Sequence, residues 1–172
     1  MHLMTTLGRR IAIVGVSASG KSWFGRALAD KTKLPLTHTD MVMWEPGWNY
    51  VGDEKTVKTL KEVSSKESWI IEGYIDKDAF DAVLNQTNSI IYLDYARYIP
   101  ALRYIKRSFM HRTHPRPELK GSPDTFSFEF LKRVWDKREV YHLNKFFENM
   151  SAPEKVIRLK SPKEASDLVK SI

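Results

Sequence analysis

The sequence predicts an α/β domain with a mainly parallel sheet. Three observations carry that reading. Short apolar runs alternate with amphipathic stretches along the chain. Most of those runs are continuously apolar, as in strands covered on both faces, rather than alternating. A glycine-rich segment also sits between the first run and the first amphipathic stretch, where a strand-to-helix turn belongs.

The strand-sized runs fall at 10–14, 36–39, 69–72, 89–94 and 155–159. The first reads Arg-Ile-Ala-Ile-Val and the fourth Ser-Ile-Ile-Tyr-Leu-Asp, both too short for a buried helix. Between them the apolar spacing predicts helices at 21–31, 54–65, 79–84, 96–112, 127–149 and 163–170. Residues 114–125 hold three Pro and one Gly among polar side chains, so they read as a loop or lid, taken as about 113–126. With no internal repeat and no second core, residues 1–172 form one domain carrying that insertion.

The strongest local signal is Gly15-Val-Ser17-Ala18-Ser19-Gly20-Lys21-Ser22, which fits G-x-x-x-x-G-K-[ST]. Its glycines let the backbone wrap closely, so that several N–H groups point inward around an anion. The helix that follows, opening on Lys21, Ser22 and Trp23, adds the positive end of its dipole. Lys21 would meet the outer phosphates as a point charge, and the Ser22 hydroxyl would ligate Mg²⁺. The segment predicts a nucleotide site.

Further candidates stand at strand ends, where a doubly wound sheet lines its ligand crevice. His38-Thr-Asp40 ends the second run. Asp40 there can orient Mg²⁺ waters or accept a proton from an attacking hydroxyl, or else cap a helix. His38 reads as a core or supporting residue. Glu72-Gly73-Tyr74 ends the third run, with Glu72 a candidate carboxylate for Mg²⁺. Asp94 ends the fourth, with capping of the next helix as its expected task. Trp44-Glu-Pro46-Gly47-Trp48-Asn-Tyr50 is an aromatic loop, either a pocket wall for an acceptor or a loop folded on its own rings. Arg103 and Arg107 share a helix face at i, i+4, with Arg116 near the lid and Arg133 and Arg138 on the returning helix. Phosphoryl transfer rests on charge neutralisation and positioning, which such arginines supply.

Composition narrows the classes. At 42% hydrophobic and 28% charged residues, the 172-residue chain is neither disordered nor low-complexity. No apolar run approaches the ~18 residues of a membrane span, and residues 1–10 are too short for a signal peptide. With no Cys at all, disulfides, thiolate metal sites and Cys nucleophiles are excluded, and the expected location is the cytoplasm. The net charge of +7 is local. Residues 97–138 hold 11 Lys and Arg against 4 Asp and Glu, and the rest of the chain balances at 17 of each sign. Such a stretch attracts polyanions; nucleic acid is open as a partner, but no nucleic-acid-binding signature accompanies it.

In order and spacing, these residues resemble the adenylate kinase-related family often labelled DNA topology modulation protein. The resemblance runs through Gly15–Ser22, His38-Thr-Asp40 with Trp44 and Pro46-Gly47-Trp48, Trp69-Ile-Ile-Glu72-Gly73, Leu93-Asp94, Arg103 with Arg107, His114-Pro-Arg116-Pro and Phe130-Leu-Lys-Arg133-Val-Trp135. It implies a P-loop NTPase fold of nucleoside-monophosphate-kinase type, with a five-stranded parallel sheet flanked by helices and a lid insertion. It further implies an ATP- and Mg²⁺-dependent transfer to a small-molecule acceptor, with Arg103 near adenine, Arg107 on phosphate, and Lys160 in a loop bordering the base. The family label leaves an ATP-driven nucleic-acid-associated protein as the alternative, and a non-catalytic nucleotide sensor as a third reading. One departure stands out: adenylate kinases grip the acceptor phosphate with an Arg after the third strand. This chain has Glu72-Gly-Tyr74-Ile-Asp76 and no Arg between Glu54 and Gln86.

Overall fold

Strand β1 (Arg10–Gly15) lies at the centre of a five-stranded sheet, because its side chains have apolar partners on both faces. The computed structural model describes residues 7–73, 79, 83–110, 121–122, 125–150 and 152–172. In chain order the remaining elements are α1 (Lys21–Thr32), β2 (Leu36–His38), α2 (Thr39–Met43), β3 (Trp44–Glu45), β4 (Asn49–Tyr50), α3 (Asp53–Ser64), β5 (Trp69–Glu72), β6 (Ser89–Leu93), α4 (Tyr98–Met110), α5 (Phe128–Trp135), α6 (Tyr141–Asn149), β7 (Val156–Leu159) and α7 (Pro162–Ser171). The sheet order is β2-β5-β1-β6-β7, and every pairing is parallel. All five predicted strands are present, with ends within about a residue of their expected positions.

The parallel arrangement explains the unbroken apolar runs. Ile11 and Ile13 point to one face, against Phe24 and Leu28 of α1 and Ala165 and Val169 of α7. Ala12 and Val14 point to the other, against Leu60 of α3 and Leu143 and Phe147 of α6. The chain leaves β1 for the β2 edge, returns through β5, and then crosses to β6 and β7. The crevice beyond the C-terminal end of β1, between its neighbours β5 and β6, is therefore where ligands of such sheets bind. Among the described residues no helix is long and apolar enough to cross a membrane.

Three elements differ from their predictions. The helix expected over 96–112 begins at Tyr98, which places Pro100 in its first turn, where a missing N–H costs nothing. Asp94 consequently caps no helix; its carboxylate accepts from Lys137 Nζ at 2.8 Å and faces Arg158 at 3.4 Å. The single helix expected over 127–149 is two, broken at Lys137, which takes a left-handed φ of 52° and leads into a 3-10 turn at Arg138–Val140. Its ion pair with Asp94 and the burial of Val140 outweigh helix continuity at a point with no Gly or Pro. The aromatic loop from Trp44 to Tyr50 is the β3–β4 hairpin, and the short helix α2, which contains Asp40, leads into it. Ala79, Val83 and Leu84 of the predicted 79–84 helix are helical and fully buried. Most of the predicted 113–126 lid, with Arg116, lies outside the described residues, as does Tyr74.

Candidate functional site

The segment from Gly15 to Ser22 leaves β1 and enters α1 as a tight loop. Gly15 (φ 153°) and Gly20 (φ 102°) both adopt backbone that disfavours a side chain. A β-carbon on Gly15 would stand 2.9 Å from the Leu93 carbonyl oxygen. Ala18 takes the left-handed region as well, at φ 63°. Lys21 is folded back over this turn, its Nζ donating to the carbonyls of Gly15 at 2.9 Å and Val16 at 3.0 Å. Arg103, from α4, donates to the Ser19 carbonyl and lies over the Tyr95 ring at 5.6 Å. Burial pushes the Tyr95 hydroxyl above its ordinary range, and the Arg103 charge pulls it part of the way back. The open donors on this turn are answered from far along the chain. Ser17 donates from its backbone N at 2.7 Å and its Oγ at 3.0 Å to the two carboxylate oxygens of Glu139.

A second group of residues gathers at the ends of β2 and β5. His38 Nδ1 and Glu72 Oε1 are hydrogen-bonded across adjacent strands that pair in register. Glu72 is buried, 3% exposed, under α1, whose Gly25 leaves room for it: a β-carbon there would meet Glu72 Cγ at 3.2 Å. Gly73 is tighter still, since a β-carbon on it would fall 2.0 Å from Thr39 Oγ1. Asp40 stands in the first turn of α2, where its charge favours the helix dipole, while His38 occupies the cap position without a side-chain bond. The capping role considered for Asp40 therefore does not apply.

The β3–β4 hairpin walls this end. Trp44 meets Trp48 edge-on at 5.8 Å and Tyr50 at 5.3 Å. Its tip turns through two left-handed residues, Gly47 (φ 83°) and Trp48 (φ 62°). Ser122 Oγ fastens the tip by accepting from the backbone N of Gly47 at 3.0 Å and of Trp48 at 3.2 Å. On the opposite wall, the Tyr104 hydroxyl accepts from Ser127 N at 2.8 Å, and its ring packs on Phe126 and Phe130. Arg107 lies over the same Tyr104 ring at 5.6 Å.

Phosphate loop, carboxylates, hairpin and arginines line one cleft of about 740 Å³. It brings together Ser17, Ala18, Gly20, Lys21, Ser22, Trp23, Asp40, Trp44, Trp48, Glu72, Gly73, Arg103 and Arg107. Gly15 and Ser19 belong to its loop, and His38 reaches it through Glu72. Arg138 and Lys160 are not among the lining residues. Arg138 is largely exposed and paired with Asp136 at 3.4 Å. The Lys160 backbone N donates to Glu164 beside the start of α7. The cleft also holds charged residues outside every sequence motif: Arg26, one turn beyond Ser22 on α1, and Glu139. Helical spacing from Ser22 points to Arg26. No pattern in the sequence could join Ser17 to Glu139, 122 residues away.

The all-parallel sheet order and the β1–loop–α1 turn together identify the architecture, and known structures agree. The chain superposes on shikimate kinase from Acinetobacter baumannii in complex with shikimate with a TM-score of 0.61 at 16% identity, covering 99% of this chain and 94% of that one. The fold is that of the P-loop kinases. A sugar kinase from Janibacter sp. gives a TM-score of 0.58 at 18% identity, over 95% and 91% of the two chains. A gluconokinase from Sinorhizobium meliloti gives 0.53 at 17% identity, over 96% and 89%. Identities this low establish the P-loop fold alone. No family model matches the sequence, and no curated protein is similar enough in sequence to count as a match.

Proposed function

We propose that this P-loop protein is a kinase that moves a phosphoryl group from ATP to a hydroxyl of a small acceptor, with Mg²⁺. The observation that carries the reading is that an anion-binding loop and a pair of carboxylates beside an aromatic wall share one cleft. The loop fits a polyphosphate: its glycines take backbone that side chains would block, and a carboxylate already sits on its donors. Ser22, Asp40 and Glu72 all line the cleft and would offer oxygen donors, the kind a hard cation takes. ATP supplies the phosphoryl group, and Mg²⁺ neutralises its charge.

The residues of the chain would do the rest. Lys21 swings from the loop carbonyls to the phosphates. Arg103 and Arg107 hold negative charge from the α4 side. Asp40 accepts the proton of the attacking hydroxyl as the hydroxyl oxygen bonds to the γ-phosphorus and the bond to the departing ADP breaks. Trp44 and Trp48 face the acceptor's apolar surface, and Glu72, oriented by His38, holds a second polar contact. Solved kinases for shikimate and for a sugar share the fold and give the first compounds to try.

The test is ATP consumption by the purified chain against a panel of hydroxylated metabolites and nucleosides, with and without Mg²⁺. Turnover that needs both an acceptor and the metal is expected. Tight ATP binding with no turnover on any acceptor would return the protein to the nucleotide-sensor reading.

A further inference from the structure

We infer that Glu139 is a built-in competitor for the phosphate loop: its carboxylate holds the Ser17 donors that an incoming phosphate needs, so a polyphosphate must expel it to bind. Both carboxylate oxygens are engaged, one by Ser17 N at 2.7 Å and the other by Ser17 Oγ at 3.0 Å. Among the described residues Glu139 makes no ion pair. Its neighbours are committed elsewhere, Lys137 to Asp94 and Arg138 to Asp136. The hydrogen bonds that hold the Glu139 carboxylate come from the loop itself, through Ser17 N and Oγ, with the start of α1 behind it. These are the features that recognise phosphate, and here they hold an anion belonging to the chain.

The docking is built into the fold. Glu139 projects from the 3-10 turn Arg138–Val140, which follows the left-handed Lys137. The Lys137–Asp94 ion pair anchors one side of that turn, and buried Val140 anchors the other. A phosphate and a carboxylate cannot share the Ser17 donors, since both are acceptors and both are negative. The apparent affinity for polyphosphate is then lowered by the fraction of molecules in which Glu139 is docked. Hydrogen bonds to a charged group are strong enough for that factor to reach ~10-fold.

The inference rests on the nucleotide reading of the loop, and the experiment separates the two. Full-length wild type, Glu139→Gln and Glu139→Ala are titrated by calorimetry with ATP and with inorganic tripolyphosphate, which lacks a base. The expected Kd for both ligands falls ~10-fold in Glu139→Ala and by less in Glu139→Gln, whose amide oxygen still accepts but carries no charge. The factor should match for the two ligands, because the competition concerns phosphate alone. Circular dichroism checks folding, and the near-isosteric Gln variant decides the matter where the Ala variant does not fold. Equal or weaker polyphosphate binding in the folded variants would overturn the role of Glu139 and leave the nucleotide reading standing. Binding of neither ligand by any of the three proteins would overturn both.

Discussion

Lys21 shows how one side chain can serve two states. The residue is 9% exposed and its ammonium is already bonded to the Gly15 and Val16 carbonyls, so it helps to hold the loop before any ligand arrives. Lys21→Ala is expected to abolish measurable ATP binding in calorimetry while costing about 1–2 kcal/mol of stability by denaturant titration, since two acceptors lose a donor. ATP affinity equal to wild type in the folded variant would remove Lys21 from the nucleotide site. Asp40 is a different case, because the start of α2 does not depend on it as a cap. Asp40→Asn keeps the shape and removes the charge. We expect kcat to fall ~10²-fold or more with little change in ATP affinity, as for a lost general base. Steady-state kinetics on the acceptor found in the panel is the measurement, and a variant at the wild-type rate would remove Asp40 from the role of general base.

At the scale of elements, what the sequence revealed depended on whether local signals agreed with tertiary demands. The runs at 69–72 and 89–94 were legible because a strand covered on both faces has little choice but to be continuously apolar, and the packing bears this out at Ile70, Ile71, Ile90 and Ile91. The loop from Gly15 to Ser22 was legible because anion binding demands glycines and a Lys at fixed spacing. The break at Lys137 was not, because an ion pair to Asp94, 43 residues earlier, imposes it on a stretch with good helical periodicity. The β3–β4 hairpin was hidden for a similar reason: its tip is tied by Ser122, about 75 residues later. Helix α1 ends by a local rule that the sequence did not follow. Lys33 takes the left-handed position that closes the helix, at φ 60°, donating to the Ala29 carbonyl, where glycine is the usual occupant. Lys33→Gly should therefore stabilise the protein by about 1 kcal/mol in a denaturant titration. A lower midpoint at unchanged slope would show that the Lys33 side chain makes a contribution exceeding its backbone strain.

For the whole molecule, the distribution of charge matters more than its sum. Tyr92, in the centre of the sheet, has its hydroxyl pushed above the ordinary tyrosine range, first by burial and then by the Asp94 charge. Above about pH 10 an unfolded Tyr92 would lose its proton while the folded one keeps it, so the stability it contributes, complete below that pH, declines as pH rises toward the folded value. Denaturant midpoints between pH 8 and 11 should drop in wild type, and by less in Tyr92→Phe; equal slopes would assign the alkaline loss to other groups. The basic stretch from 97 to 138 poses the larger question, since its excess could serve a polyanion outside the cleft. Part of it belongs to the cleft or is already paired: Arg103, Arg107 and Arg133 line the cleft, and Lys137 and Arg138 hold carboxylates. A surface that binds duplex DNA needs its cations free to displace counterions, each phosphate contact adding about one to the slope of log K against log salt. Cations committed to a cleft do not contribute in that way. We therefore expect Arg107→Ala to impair ATP turnover, and duplex DNA to bind no tighter than ~10⁻⁵ M near physiological salt. Fluorescence anisotropy with a labelled duplex over a salt series is the measurement. Sub-micromolar binding whose salt slope falls by about one in Arg107→Ala and again in Arg116→Ala would make this stretch a nucleic-acid surface and overturn the kinase reading of its arginines.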